Sequence, residues 1–345
     1  MISGTFTALI TPFRGDAVDY DGIDALVDFQ IANGISGILA VGTTGESPVL
    51  TWEEHNAVIE RVAQSRSGDC TLIAGTGSNN TQEAIEGTEH AAKAGAEAVL
   101  LVDPYYNGPS SLEIRKEYLE PVAKAFPDIE MIPYVIPGRT GTQLLPEDLA
   151  LLHKTYRNVS TVKEATGNLE NMKRTRECCG PEFTLLSGDD GITFDMMTTP
   201  EISAAGVISV ASNIVPKAVS DMVRHLARGE TDAARDLKNR LDPLFNLVTV
   251  KSIETTPFGE VVFRARNPLA LKTLMDILGM PAGPCRQPLG KLTRNALDIV
   301  LNAARKVQAE SPGLLKPIAD AFGVDIESRL ADSTLHDTYC YPGAY

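Results

Sequence analysis

Eight short apolar runs, each followed by an amphipathic stretch of helix length, constrain this chain more than any other feature of its sequence. The runs fall at 4–13, 34–42, 71–77, 96–104, 130–137, 159–166, 183–190 and 206–212, rich in β-branched residues and bounded by Gly, Pro or Asp. Several are apolar on both faces, as in Ile38-Leu39-Ala40-Val41 and Val207-Ile208-Ser209-Val210. A strand with one wet face would alternate instead, so these runs suit parallel strands with helices outside and a core inside. Helix starts lie between them: Asp21 before Ile23, Leu26 and Val27; Thr51 with Glu54 as a capping box; Thr81 before Ala84 and Ile85; Pro146 ahead of Leu149 and Leu152. Eight strand-helix units, complete by about Arg228, predict an α/β fold, the closed (β/α)8 or TIM barrel. An open doubly wound sheet is the competing arrangement.

The chain is 345 residues long, and the segment after the barrel reads as a C-terminal helical extension. The expected division is a barrel carrying the active site over 1–228, C-terminal helices over 229–310, and an extension or arm over 311–345. Within 291–309, Leu292, Ala296, Leu297, Val300, Leu301, Ala304 and Val307 form one stripe at near-3.6 spacing, so that helix should pack on something. Beyond Ser311-Pro312-Gly313 the sequence turns Asp-rich with little periodicity, which suggests an arm that binds its own oligomer.

Lys and Arg number 31 against 45 Asp and Glu, a net charge of −14, and no basic run reverses that field locally. Such a surface repels polyanions, so nucleic acid is not an expected partner. The longest apolar stretches, such as Ala98-Val99-Leu100-Leu101-Val102, fall far short of the ~20 residues that span a bilayer, and Met-Ile-Ser-Gly does not open a signal peptide. A cytoplasmic protein without membrane contact is the expectation. Five cysteines, odd in number and without CxxC spacing, read as reduced thiols. Five histidines include no HExxH pair, and helix capping explains Asp189, Asp190 and Asp195 at least as well as magnesium, so no metal is expected.

In a barrel of this kind functional side chains come from the C-terminal ends of strands and the loops after them. Lys163, in Val159-Ser160-Thr161-Val162-Lys163-Glu164-Ala165-Thr166, stands by period-2 alternation on the face of Val159 and Thr161, near the end of an interior strand. Burial disfavours the ammonium and lowers a lysine's pKa from about 10.4 toward neutrality, leaving an amine able to attack a carbonyl. A lysine paired with Glu164 or reaching to the rim is the equally weighted structural reading. One run earlier, Tyr134 can pass protons and Arg139 can fork onto a carboxylate. Gly42-Thr43-Thr44-Gly45-Glu46-Ser47 comes after the second run and offers backbone N–H groups and hydroxyls to an anion. It is neither GxGxxG nor GxxxxGK[ST], and with no lysine in the loop it suits a small carboxylate better than a phosphate. Asp103-Pro104-Tyr105-Tyr106-Asn107 adds phenols near the same mouth, and Ser187-Gly188-Asp189-Asp190 closes the seventh run.

GTTGES at 42–47, PYYN at 104–107, PGRTG at 137–141, KEATGN at 163–168, SGDD at 187–190 and GVISV at 206–210 occur in an order and spacing that resembles the 4-hydroxy-tetrahydrodipicolinate synthase (dihydrodipicolinate synthase) family. The resemblance runs from Gly4 through about Arg228. It implies a (β/α)8 barrel of the N-acetylneuraminate lyase superfamily and a class I aldolase in which Lys163 forms a Schiff base with pyruvate, with no cofactor. The enamine then adds to L-aspartate 4-semialdehyde and the product cyclises to 4-hydroxy-tetrahydrodipicolinate, in lysine and diaminopimelate biosynthesis. By the same resemblance Tyr134, Thr44 and Tyr106 form a proton relay, with Tyr106 reaching a neighbouring subunit's site in a homo-oligomer, a dimer or tetramer. Thr43 and Thr44 would hold the pyruvate carboxylate, Arg139 would meet that of the semialdehyde, and Gly188 and Ile208 would line the pocket. Ser47, Trp52, His55, Asn79, Glu83 and Tyr105 match the positions at which lysine inhibits family members.

Four features depart from the family pattern. Val135 stands in place of the usual asparagine, Gly108 in place of the usual arginine, 251–266 is longer than typical, and 311–345 runs past the usual end. These bear on the second substrate more than on the first, because the Schiff-base residues are intact. Two other functions compete. One is a lyase or aldolase that releases pyruvate from a 2-keto-3-deoxy acid, against which Arg139 places a charge where a sugar chain would prefer neutral donors. The other is a catalytically silent paralogue that binds pyruvate or lysine, against which stands the complete set of Lys163 and three hydroxyls.

Overall fold

The computed structural model describes residues 2–343. Eight parallel strands close on themselves: β1 Gly4–Ala8, β2 Gly37–Ala40, β3 Thr71–Gly75, β4 Ala98–Val102, β5 Glu130–Val135, β6 Thr161–Glu164, β7 Thr184–Ser187 and β8 Gly206–Ser209. Each pairs with its neighbours in sequence and β1 pairs with β8, so the barrel is closed and the open doubly wound arrangement is excluded.

Double-faced strands explain the closure. Leu39 points into an inner cluster with Phe6, Ile73, Leu100, Ile132, Leu186 and Ile208, while Ile38 and Ala40 on the same strand pack outward into the helix layer. Both sides of each strand therefore leave water, which is the main stabilising contribution here. The seam between β1 and β8 needs glycine: Gly4 and Gly206 face each other in register, and a Cβ on Gly206 would stand 1.9 Å from the Gly4 carbonyl oxygen.

Helices come after the strands as their start signals suggest, with small shifts. The capping box of Thr51 and Glu54 is formed at helix Trp52–Ser65. Helix Tyr20–Ala32 begins ahead of the expected Asp21, because Asp19 accepts from the Gly22 N–H and so ends the free donors one step earlier.

After the barrel the structure corrects the all-helical expectation. Helices Thr231–Phe245, Leu269–Ile277 and Arg294–Glu310 are present, but between the first two lies an antiparallel hairpin, β9 Thr249–Thr256 and β10 Gly259–Arg266. Its buried face reads Val250, Ser252, Glu254, with Glu254 accepting from Ser252 and Thr293 at 2.6 Å each and from Asn295 at 3.0 Å. A strand whose inward residues are largely polar carries no apolar period to reveal it. Helix Arg294–Glu310 buries Ala296, Leu297, Val300, Leu301, Ala304 and Val307, the stripe visible in the sequence.

The C-terminal segment, expected as an extension or arm, is built of short helices. It folds back on its own chain: Arg329 donates to the carbonyls of Ile277 (2.5 Å) and Asp276 (2.9 Å), Arg305 to that of Leu330, and Phe322 meets Phe29 at 5.3 Å between ring centroids. Leu315, Ile318, Ile326 and Leu330 are buried there. Guanidinium caps on distant helix ends hold this segment, and such bonds leave no local sequence pattern. Among the described residues no helix is long and apolar enough to cross a membrane.

Candidate active site

The C-terminal ends of the strands surround a cavity of about 370 Å³ lined by Thr43, Thr44, Tyr134, Arg139, Lys163 and Gly188, with the base of the hairpin above it. Strand register sets its centre. Tyr134 on β5 pairs with Lys163 on β6, and Lys163 Nζ lies 4.1 Å from the centroid of the Tyr134 ring. Lys163 is 4% exposed and lacks an ion-pair partner among the described residues, so it is not bridged to Glu164. Glu164 instead accepts from Asn171 at 3.0 Å and from the Thr166 N–H at 3.1 Å.

Burial lowers the Lys163 pKa to about 7, against the opposing charge of Asp190, with Arg139 adding to the fall. About half of the amine is then unprotonated at neutral pH. Burial also pushes Tyr134 up to about 12, which keeps its phenol protonated and able to donate. Asp190 is buried, with its pKa raised by burial, and accepts from Ser209 and from the N–H groups of Val210 (2.9 Å) and Ala211 (3.0 Å), which fixes the loop after β8. Asp189 is exposed at the rim.

Gly188 is required for space. A Cβ there would sit 2.8 Å from Ala165 Cβ and 3.1 Å from Lys163 Cε, so only a bare backbone leaves the amine its path. The loop after β2 is likewise forced: Val41 has φ 48° and Glu46 φ 56°, the left-handed region that β-branched residues avoid. That strain is held by Glu46, whose carboxylate lies 2.5 Å from Lys272 Nζ and accepts from the Arg286 N–H at 2.9 Å.

Residues 1–306 match the profile of the dihydrodipicolinate synthetase family. The chain belongs to this family. It is a class I aldolase-type enzyme. A 4-hydroxy-tetrahydrodipicolinate synthase of Methanocaldococcus jannaschii is 38% identical over 305 residues, 88% of this chain and 98% of that one. Two solved structures of the family are similar: the enzyme of Cyanidioschyzon merolae with lysine bound (36% identity, TM-score 0.80, covering 88% of this chain and 98% of that one), and the chloride-inhibited enzyme of Acinetobacter baumannii complexed with pyruvate (32% identity, TM-score 0.80, 89% and 99%).

Set against the family pattern, the structure brings Lys163, Tyr134, Thr43, Thr44, Arg139 and Gly188 to one cavity. Two details differ. The Thr44 hydroxyl, expected in the proton relay, accepts from Asn267 Nδ2 at 2.9 Å. Just past the end of β8 the wall is Val210, and Ile208 packs in the inner cluster with Tyr134. Tyr106 is not brought to the Lys163 of its own chain: it is 84% exposed, its backbone N–H held by Asn79 Oδ1 at 3.1 Å. Val135, in place of the family's asparagine, faces the outer apolar layer rather than the cavity.

A second cavity of about 700 Å³ gathers Ser47, Trp52, His55, Asn79, Glu83 and Tyr105, and shares Thr43, Tyr134 and Arg139 with the first. Burial lowers the His55 pKa to about 4, so this imidazole is neutral at pH 7, bonded to the Gly75 carbonyl at 3.0 Å and edge-on to Trp52. Glu83 accepts from Ser78 at 2.5 Å. Sequence reasoning missed Asn267, the Glu46–Lys272 pair, and the hairpin residues over the mouth. The partners are separated by more than two hundred residues, and only the length of 251–266 hinted at a new wall.

Proposed function

We propose that this chain condenses pyruvate with L-aspartate 4-semialdehyde to 4-hydroxy-tetrahydrodipicolinate. The observation that carries the reading is a buried, unpaired Lys163 amine with pKa about 7, set against a protonated phenol in a cavity that also holds an arginine. The neutral amine attacks the C2 carbonyl of pyruvate and water leaves, giving the iminium. The iminium withdraws electrons, a C3 proton is lost, and the enamine carbon forms a bond to the aldehyde carbon while Tyr134 protonates the new alkoxide. The substrate's own amine then adds at C2 and expels Lys163, which closes the ring. No cofactor is needed, since the iminium is the electron sink.

Thr43 and Thr44 offer donors to the pyruvate carboxylate, and Arg139 offers a fork to the acid of the semialdehyde. Burial, reinforced by the neighbouring Arg266, draws the Arg139 pKa below its usual value. Tyr106 completes the relay of a second subunit, so the active form is a homo-oligomer. The second cavity takes free lysine as an inhibitor, its ammonium on Glu83 beside neutral His55. The lysine-bound relative supports this assignment.

Borohydride reduction in the presence of pyruvate tests the reading. Mass spectrometry should find the adduct on the Lys163 peptide, and its rate of formation should rise with pH through about 7 and then level, because the unprotonated amine reacts. An adduct on another lysine, or none, would refute it.

A further inference from the structure

The hairpin places three cations over the same cavity: Lys251 on β9, and Arg264 and Arg266 on β10. With Arg139 they make four cations at the mouth of a chain whose net charge is −14, against one lining carboxylate, Asp189. We propose that Lys251, Arg264 and Arg266 form an acceptor subsite that holds the acid group of the incoming aldehyde together with Arg139, and so restrict the enzyme to short acidic aldehydes. This rests on the condensation described above and names a specificity element for it.

Strand pairing supplies the strongest argument. Lys251 and Arg264 face each other directly in the ladder, and Arg266 stands one same-face pair away, opposite Thr249. Like charges directly opposite across antiparallel strands are destabilising. None of the three takes part in an ion pair among the described residues; Arg266 donates to the Gly138 carbonyl at 3.1 Å, beside Arg139, which donates to the Asn267 carbonyl at 3.2 Å. The hairpin's hold on the protein is on its other face, through Val250, Ser252 and Glu254. Lys251 and Arg264, which make no side-chain hydrogen bond or ion pair among the described residues, therefore do nothing for the hairpin's own folding and remain available to an anion, while Arg266 is set at the mouth by its bond to Gly138.

Position selects the acceptor over pyruvate. Pyruvate must reach Lys163 at the cavity floor beside Thr43 and Thr44, whereas Lys251 and Arg264 are exposed at the rim. A neutral polyol chain would gain little from unpaired cations there. A carboxylate gains both steering and a hold, and Asp189 offers a counter-charge to an ammonium on the same molecule.

The test uses the full-length enzyme with Lys251→Gln, Arg264→Gln and the double variant. In the double variant KM for aspartate semialdehyde should rise about tenfold, with KM for pyruvate changed less than about twofold. Preference for the acidic aldehyde over butanal should fall by a similar factor, the salt dependence of kcat/KM should flatten, and Tm should stay level or rise. Lys251→Arg with Arg264→Lys should restore the preference. Parallel rises in both KM values, an unchanged semialdehyde KM, or a lowered Tm as the main effect would overturn the subsite. If the wild-type enzyme fails to trap pyruvate on Lys163, the condensation reading falls by itself. Calorimetric binding of succinate still decides the subsite, because an equal Kd in wild type and double variant would remove it.

Discussion

Lys163 and Lys272 are both buried, 4% and 0% exposed, and each Nζ lies 4.1 Å from an aromatic centroid, Tyr134 in one case and Phe13 in the other. Their polar surroundings separate them. Lys272 Nζ touches Glu46 at 2.5 Å and the Thr11 carbonyl at 2.8 Å, whereas Lys163 Nζ has no ion-pair partner among the described residues and opens on the cavity. Burial lowers the pKa of both; at Lys272 the adjacent Glu46 opposes it, and at Lys163 the opposing charge is Asp190 beyond ion-pair distance. A counter-ion turns a buried amine into a strut, and its absence leaves a nucleophile.

The largest expected effect comes from exchanging the nucleophile. Lys163→Met should abolish the borohydride adduct and lower kcat at least about 10³-fold. Its stability should move the other way. A lysine whose folded pKa lies below its unfolded value opposes folding most at low pH, and stability rises with pH from about 7 toward the unfolded value near 10.5. Near pH 7 that penalty is about 4 kcal/mol, so the methionine should raise stability by about 1–2 kcal/mol after its poorer fit, read by denaturant unfolding. A loss of stability would show that Lys163 is a structural residue after all.

The strut should respond in the opposite sense. Lys272→Met leaves the Glu46 carboxylate buried without its cation and should cost about 3–5 kcal/mol, while the folded fraction still traps pyruvate on Lys163. Adding Glu46→Gln should recover much of that loss, because removing both charges removes the unpaired one. If the single variant instead unfolds no earlier but fails to trap, the two lysines are not divided as their surroundings suggest.

The same physics decides which features are legible in the sequence. The eight strands were legible because residues such as Ile38, Leu39 and Ala40 are apolar on both faces, and Lys163 was legible because a charge interrupts that pattern at a strand's C-terminal end. Glu46–Lys272 was not, since each residue alone looks like an ordinary surface charge and only the fold brings them together across more than two hundred positions. The hairpin was hidden by its own chemistry, a buried face of Val250, Ser252 and Glu254 that satisfies polar groups rather than burying apolar ones. Thr44 was visible in its motif, but its donor Asn267 was not.

That last bond gives the finest division of the comparison. Asn267 and Lys272 lie five positions apart and clamp the same loop, one at Thr44 and the other at Glu46. Asn267 is 8% exposed and donates to the Thr44 hydroxyl at 2.9 Å, while its backbone carbonyl accepts from Arg139. Asn267→Ala keeps the carbonyl and deletes the donor, so it should cost only about 1 kcal/mol of stability. Its kinetic mark should fall on pyruvate, whose KM should rise about fivefold as Thr44 turns away, with KM for the semialdehyde nearly unchanged because the Arg139 contact survives. Kinetics that shift at 267 with little change in stability, beside stability that shifts at 272 with little change in trapping, would place the boundary between site and scaffold within one short segment. An equal shift in both KM values at 267 would mean that Asn267 holds the loop as a whole, as Lys272 does.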